Sequence, residues 1–199
     1  MSVQYFDIDY ELDSRITRGI RAIFEKDDRF VYNKNQEQSQ VIITTQYPEN
    51  TDTVDKIPHI VIDSSSYDVS MQNTFGYNYS KDVEHKNFKN GAMQYAYLIP
   101  FTTTIKCVAQ QSVSKDLASK LAWYLSFGAT QYMSEFLGLQ LNGVSKGNTV
   151  PSTQYPQKIF ESTVVIRGTL CHVGTKRPED MDVLSDLDTP LTNVKINFK

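Results

Sequence analysis

Five side chains of this sequence are the best suited to nucleophilic or metal chemistry. His59, His85 and His172 lie far apart along the chain, and neither Cys107 nor Cys171 belongs to a CxxC pair. Neighbours in a strand point to opposite faces, so Cys171 and His172 are poorly placed to share a metal site with Cys107. Both cysteines fall inside predicted strands, where a free thiol behaves as a small apolar group, which also disfavours a Cys–His hydrolase. We expect no metal, no cofactor and no disulfide framework.

Motifs of enzymatic sites are missing from the sequence as well. GxSxG, HExxH and GxGxxG do not occur, and residues 143–148 contain Gly and Lys without the spacing of a phosphate loop. The 23 acidic residues offer many accidental carboxylate pairs, so no functional pair is identified by sequence alone. We therefore expect no catalytic residues and no enzymatic activity.

Length and composition place the chain among ordinary globular proteins. Its 199 residues suffice for one domain with a sizeable core, and 40% hydrophobic with 22% charged residues is typical of such domains. The net charge of −3 argues against a protein that mainly holds nucleic acid by its phosphates. No apolar run approaches the ~18 residues of a spanning helix, and the acidic N-terminus differs from a secretory signal. These features predict a cytosolic product without a membrane partner.

The stretch that organises the chain is residues 97–137, a predicted strand that leads into a long amphipathic helix. The strand alternates with a period of two between an apolar and a more polar face. The apolar face holds Phe101, Thr103, Ile105, Cys107 and Ala109, and the other holds Thr102, Thr104 and Lys106. In the helix, Leu117, Leu121 and Leu125 recur at helical spacing, with Ser112 and Ser114 as candidate N-caps.

The remaining segments add further elements to this unit. A first helix is predicted from a cap at Asp13 or Ser14, with Ile16, Ile20 and Phe24 on its apolar face. Strands are predicted at 40–47, 57–63, 92–99, 138–142 and 159–173, and residues 143–148 are predicted as a loop. The predicted fold class is α+β, with a mainly antiparallel sheet packed by one long and one shorter amphipathic helix and with long loop or arm insertions. Residues 1–175 are predicted to form a single domain.

A long irregular region is predicted for residues 64–91, and a region of this length is usually functional or disordered. It interleaves aromatic and basic side chains, namely Tyr77, Tyr79, Lys81, Phe88 and Lys89. Such a segment can stack on single-stranded bases, so a nucleic-acid-binding module using residues 76–90 is one hypothesis. The same composition suits an arm that folds onto a neighbouring subunit. The acidic Asp82 and Glu84 in the same segment favour the arm.

Two charged segments are further candidates for an interface between subunits or with another partner. Arg15, Arg18 and Arg21 follow one face of the first helix, although a solvated helix face is the simpler interpretation. Residues 178–190 contain five acidic residues and no basic one, among them Asp182, Asp186 and Asp188. We expect residues 176–199 to form an acidic arm whose terminal strand, 191–198, pairs with its own sheet or with another subunit's edge.

The likeness to a known family rests on the helix 16–24, the strand 57–63, the strand–helix unit 101–125 and the strand 159–173. In this order the elements resemble the tail terminator (tail completion) proteins of long-tailed bacteriophages. The likeness covers most of the chain but is one of layout, so no functional residue is carried across. It implies a virion protein, assembled in the host cytoplasm, that forms a ring, commonly a hexamer. This ring caps the tail tube, offers a surface to the head connector and has no enzymatic activity.

The composition agrees in kind with a ring subunit. Tyr offers a large apolar area with a polar tip, which suits surfaces that become buried against a partner, and two arms would lengthen the contact between neighbouring copies. A net negative charge suits a ring through which DNA passes without specific binding. The acidic tail and the 64–91 region extend the chain beyond the length of the smallest family members. This leaves open another neck, tail-tube or sheath-contacting role.

Overall fold

The computed structural model describes residues 7–48, 54, 56–68, 74–80, 92–155 and 158–176, with the backbone alone for 36, 74–80, 92–97 and 172–176. A short 3-10 helix, Gln36–Gln38, precedes the first strand. In chain order the main elements are α1 (Ile8–Phe24), β1 (Ile42–Thr44), β2 (His59–Tyr67), β3 (Thr74–Ser80), β4 (Ala92–Gln110), α2 (Gln111–Trp123), a π-helix (Tyr124–Gly128), α3 (Thr130–Leu137), β5 (Leu139–Pro151) and β6 (Ile159–Lys176).

The strands of the described residues form one six-stranded sheet in the order β1-β2-β4-β6-β5, with β3 paired to β4 outside this path. β1 runs parallel to β2, whereas β2 and β3 each run antiparallel to β4, and β5 runs antiparallel to β6. The predicted α+β class with a mainly antiparallel sheet is therefore confirmed.

The chain divides into two compact units. The first comprises residues 1–69 and 99–170 and holds the helices named above, β1, β2, β5 and the longer parts of β4 and β6. The second comprises residues 70–98 and 171–199 and holds β3, the first residues of β4 and the last residues of β6. The predicted single domain over residues 1–175 thus includes parts of both units.

The main core of the first unit lies between the sheet and the helices. The predicted alternation in β4 is confirmed, because Ile105 and Cys107 are fully buried while Thr102, Thr104 and Lys106 are only partly so. β6 alternates in the same way, and every second residue from Ser162 to Leu170 is buried. The largest fully buried side chains are Phe24, Leu12, Ile16, Ile20, Ile60, Ile105, Leu117, Leu121, Leu125, Met133, Leu139 and Ile166.

Helix α1 begins earlier than the sequence predicted. Its N-cap is Asp7, whose side chain accepts a hydrogen bond of 3.0 Å from the amide of Tyr10, so the predicted cap at Asp13 or Ser14 is wrong. An acidic side chain at this position also complements the helix dipole. The early start adds Leu12 to the apolar stripe, which then runs through Leu12, Ile16, Ile20 and Phe24.

Helix α2 begins at Gln111, before the predicted caps Ser112 and Ser114. Its N-cap residue is Gln110, whose side chain makes no capping hydrogen bond. Ser114 is buried inside the helix and does not cap it. Its Oγ donates to the carbonyl oxygen of Cys107 at 2.8 Å and lies 2.8 Å from Oγ of Ser162. Ser114 therefore joins α2 to the sheet, because a buried hydroxyl needs partners of this kind.

Three segments that were predicted as loops form strands instead. Residues 64–67 continue β2, residues 74–80 form β3, and residues 143–148 belong to β5. In β5 the Gly- and Asn-containing segment is accommodated by irregularities between Leu141 and Gly143 and between Lys146 and Thr149. The rest of the predicted 64–91 insertion and most of the predicted C-terminal arm lie outside the described residues.

Candidate protein-interaction surface

Helix α1 forms one wall of a surface cavity of about 850 Å³, which we call the α1 groove. The groove combines basic side chains with hydroxyl groups and a few acidic ones. Its lining residues include Tyr10, Asp13, Thr17, Arg18, Arg21, Glu25, Tyr32, Lys34 and Tyr132. All of them belong to the first unit. A cavity of this size can hold several residues of a peptide or a small ligand.

Three cations line the α1 groove, and none of them forms an ion pair within the described residues. Arg18 and Lys34 are exposed. Arg21 is held in place, because its Nη2 donates to the carbonyl oxygen of Ile43 at 2.9 Å and its guanidinium lies 5.4 Å from the ring centre of Tyr32. The groove therefore holds three cations without an ion-pair partner among the described residues, beside the carboxylates of Asp13 and Glu25.

Two buried polar atoms at the α1 groove have no hydrogen-bond partner within the described residues. They are Oγ1 of Thr17, a residue that is 8% exposed, and Nε of Arg21. Leaving a buried donor unsatisfied costs about 1–3 kcal/mol, so such groups are uncommon in folded proteins.

Asp13 is the acidic residue of the α1 groove that is tied most closely to the sheet. Burial raises the pKa of Asp13, the hydrogen bond of 3.0 Å from Ser65 opposes that shift, and the nearby charge of Asp9 adds to it. Ser65 in turn lies 2.9 Å from Oγ1 of Thr103 on β4. The carboxylate is thus occupied by the sheet and does not pair with Arg18 or Arg21.

Helix α3 contributes Tyr132 to the α1 groove and is held close to α1. A Cβ atom added to Gly19 would lie 2.3 Å from Sδ of Met133 and 3.0 Å from Cδ1 of Leu137, so glycine permits this approach without a shift of those side chains. Arg15 ties the end of α3 to α1, since its Nη1 donates to the carbonyl oxygen of Leu137 at 3.0 Å and its Nε pairs with Glu11. Gly138, with φ of 62°, ends α3 in the left-handed conformation.

The helices of the first unit also expose several large aromatic side chains. Trp123 is 57% exposed, Phe127 74% and Phe136 72%, whereas the other face of the same helices is buried. Trp123 and Phe127 lie with ring centres 6.3 Å apart, and Phe136 stacks on Tyr132 at 5.4 Å. We call Trp123, Phe127 and Phe136 the exposed aromatic residues. Tyr132 is half-buried and connects this set to the α1 groove through its stacking on Phe136.

A π-helix directly follows Trp123 and contains Phe127. Its closing bond runs from the amide of Ala129 to the carbonyl oxygen of Tyr124 at 2.8 Å, and Oγ of Ser126 donates to the carbonyl oxygen of Ala122 at 2.7 Å. Short π-helices are rare and are frequently found at functional sites.

A polar network around Asp27 connects α2 and the π-helix to the loop after α1. The carboxylate accepts from the amides of Phe30 and Arg29, from Nζ of Lys120 and from the hydroxyl of Tyr124, at 2.7–3.1 Å. Burial by itself would raise the pKa of Asp27, but these hydrogen bonds outweigh it and lower the pKa to about 2. The network therefore stabilises the charged carboxylate and holds Tyr124, the neighbour of Trp123.

A second charged cluster lies on the sheet face that packs against Tyr47. The hydroxyl of Tyr47 donates to Asp63 at 2.6 Å, and Lys106 pairs with Asp63 at 3.5 Å and with Glu161 at 3.6 Å. Burial and the bond to Asp63 raise the pKa of Tyr47 to about 12. The bond to Tyr47, followed by the two carboxylates, raises the pKa of Lys106 against the opposing effect of its burial. Both groups keep their protons at neutral pH, and the cluster links β2, β4 and β6.

The histidine and cysteine candidates occupy separate places. Cys107 is fully buried, and burial raises the pKa of its thiol, which is the opposite of what an activated nucleophile needs. His59 is buried as well, and its Nδ1 lies 2.7 Å from the carbonyl oxygen of Ile57. Within the described ranges, no three His, Cys, Asp or Glu side chains come together as metal ligands would. Cys171 is half-buried, and His85 lies outside the described residues.

The structure places only some of the predicted interface residues. Arg18 and Arg21 line the α1 groove, whereas Arg15 contacts α3. Tyr77 and Tyr79 lie in β3, paired with Tyr95 and Met93 of β4. The others lie outside the described residues, namely Lys81, Phe88, Lys89, Asp182, Asp186 and Asp188.

Sequence reasoning missed the exposed aromatic residues. A signal was present, since the stripe from Leu117 to Leu125 leaves Trp123 and Phe127 off the buried face of a regular helix. No comparable pattern in the sequence indicated that Phe136 is exposed.

The sequence matches no protein-family model and no curated protein. None of the helices in the described ranges combines the length and apolar character that crossing a membrane requires.

Proposed function

We propose that this chain is a structural subunit that assembles with copies of itself and with other proteins and catalyses no reaction. The observation that carries the proposal is the exposure of Trp123, Phe127 and Phe136, each more than half exposed on the helical layer of one unit. Large aromatic side chains dominate the energetics of protein interfaces and are unfavourable in water. Burial of these side chains against a partner would remove that cost.

The assembly that fits best is the ring of a tail terminator in a long-tailed bacteriophage, with six copies as the expected number. The order of the helices and strands supports this assignment, because it follows the layout that resembles that family. In this role the ring caps the tail tube, contacts the head connector and belongs to the tail or neck of the virion. A second role within the same structure, as another neck, tail-tube or sheath-contacting protein, would use the same surface.

Charge is compatible with a ring that surrounds DNA. The net charge of −3 does not favour tight binding to phosphates, so DNA would pass through without specific contacts. The three unpaired cations of the α1 groove are a local exception, and they lie among hydroxyl groups and two acidic side chains.

The experiment is a binding assay of the full chain with purified tail tubes of a long-tailed phage that carries this protein. We expect the double variant Trp123→Ser, Phe127→Ser to fold normally and to lose at least about tenfold in affinity for the tubes or for its own copies, as hot-spot aromatics do. The matched control is Val150→Ser, which removes a half-exposed apolar side chain from β5. Equal assembly by the double variant and the wild-type chain would overturn the proposal.

A further inference from the structure

The α1 groove has the features of a site for an acidic peptide segment. Arg18 and Lys34 project their charges without a carboxylate partner in the described residues, and Thr17 and Arg21 each keep a buried polar atom unsatisfied. An occupant with negative charge and several oxygen acceptors would pair with Arg18 and Lys34, whereas the unsatisfied atoms of Thr17 and Arg21 are enclosed by the protein. Arg guanidinium groups bind carboxylates especially well, because their donors match the two oxygens.

The tyrosines of the groove add a second requirement. Tyr10 is 69% exposed, and Tyr132 and Tyr32 also line the cavity. These rings offer apolar faces beside the cations, so a matching occupant carries aliphatic side chains between its carboxylates. A small inorganic anion would leave that apolar area uncovered.

The chain itself contains a segment with this chemistry. Residues 178–190 carry five acidic residues and no basic one, and the pair Val183 and Leu184 lies between Asp182 and Asp186. The segment starts two positions after Lys176, the last described residue of β6. Thirteen residues, if fully extended, span at most about 45 Å.

We propose that the α1 groove of one copy binds the acidic segment 178–190 of a second copy. The inference deepens the proposed assembly role and rests on it for the statement that the two segments come from neighbouring subunits. Arg18 and Lys34 bind carboxylates at the rim, and Arg21 adds positive charge to the wall. The tyrosines cover the aliphatic side chains of the segment. Asp13 and Glu25 disfavour an acidic side chain near them and so restrict the register of the segment.

A labelled peptide of residues 178–190 tests the contact between separate molecules. The receptor is the full chain in which Glu179, Asp180, Asp182, Asp186 and Asp188 are replaced by their amides, so that its own segment does not compete. Fluorescence anisotropy should show saturable binding that weakens as salt increases, because exposed charges are screened. A peptide with the same five positions amidated should not bind.

The location of the contact is tested by Arg18→Ala, Lys34→Ala in the same receptor. Both side chains are exposed, so the fold should survive, which circular dichroism will check. We expect affinity for the peptide to fall roughly two- to thirtyfold, because an exposed charge contact is worth about 0.2–1 kcal/mol and two are lost. Lys115→Ala is the matched control, since it removes an exposed charge from α2 and should leave binding unchanged. No saturable binding, or equal binding by the double variant, would overturn the inference.

Failure of the inference and failure of the proposed function give different results. If the chain forms rings or binds tail tubes but the peptide does not bind, the groove contact is wrong and the assembly role stands. If the peptide binds at the groove but the full chain neither self-associates nor binds tubes, the acidic-peptide site stands. In that case the neighbouring-subunit origin and the assembly role are wrong.

Discussion

Gly19 of α1 and Met133 of α3 approach so closely that a Cβ atom at Gly19 would lie 2.3 Å from the methionine sulfur. This contact sets the distance between the two helices that carry the α1 groove and Tyr132. A side chain at position 19 must shift the buried side chains of Met133 and Leu137 or move α3 itself.

We expect Gly19→Ala to destabilise the protein by about 1–3 kcal/mol, the usual cost of overpacking a tight contact. Urea denaturation followed by circular dichroism would measure the change. Gly143→Ala is the matched control, because a Cβ atom there meets nothing within 4 Å. A Gly19→Ala variant as stable as the control would show that α3 yields at little cost.

Asp27→Asn should destabilise the chain by about 2 kcal/mol, since an amide cannot accept all the hydrogen bonds that the charged carboxylate receives. The pKa of Asp27 is lowered from 3.8 to about 2, so its ionised form is favoured by folding. Its contribution is therefore fully present above pH 3.8 and is lost as pH falls toward 2. Asp28→Asn is the control, because its carboxyl also contacts Lys120 but is 87% exposed. Similar losses for both variants would contradict a special role for Asp27.

His59 should make the stability of the protein fall as the medium becomes mildly acidic. Burial lowers the pKa of His59 below its ordinary value of 6.5, so the folded state favours the neutral ring and the unfolded state binds the proton more readily. The free energy of unfolding should therefore decrease as pH falls below 6.5. The urea midpoint should fall less steeply between pH 7 and pH 5 in His59→Asn than in the wild-type chain. Identical slopes would assign the dependence to other groups.

Much of the fold follows from patterns that depend on the local sequence alone. β4 and β6 are long alternating segments, and their burial follows the alternation because one sheet face packs on the helices. The cap of α1 was placed incorrectly, since Asp7 and Asp13 are both suitable caps and only the packing of Leu12 decides between them. Residues 143–148 have the composition of a turn, yet they form part of β5 because β6 supplies the hydrogen-bond partners.

The candidate surface was harder to predict than the fold. Arg18 and Arg21 were identified from their spacing on one helix face, but the groove also needs Tyr32, Lys34 and Tyr132 from other segments. The stripe from Leu117 to Leu125 indicates that Trp123 and Phe127 lie off one buried face, but it does not indicate whether another element covers them. Aromatic side chains also fill cores, so their number alone does not indicate a surface.

The most direct test of the central claim is the mass of the purified full chain, measured by mass photometry alone and after mixing with tail tubes of a phage that carries it. A ring subunit should give closed rings in solution or rings on the tube ends, and Trp123→Ser, Phe127→Ser should be impaired in both. A wild-type chain that stays monomeric in solution and also leaves the tubes unbound would contradict the ring-subunit role.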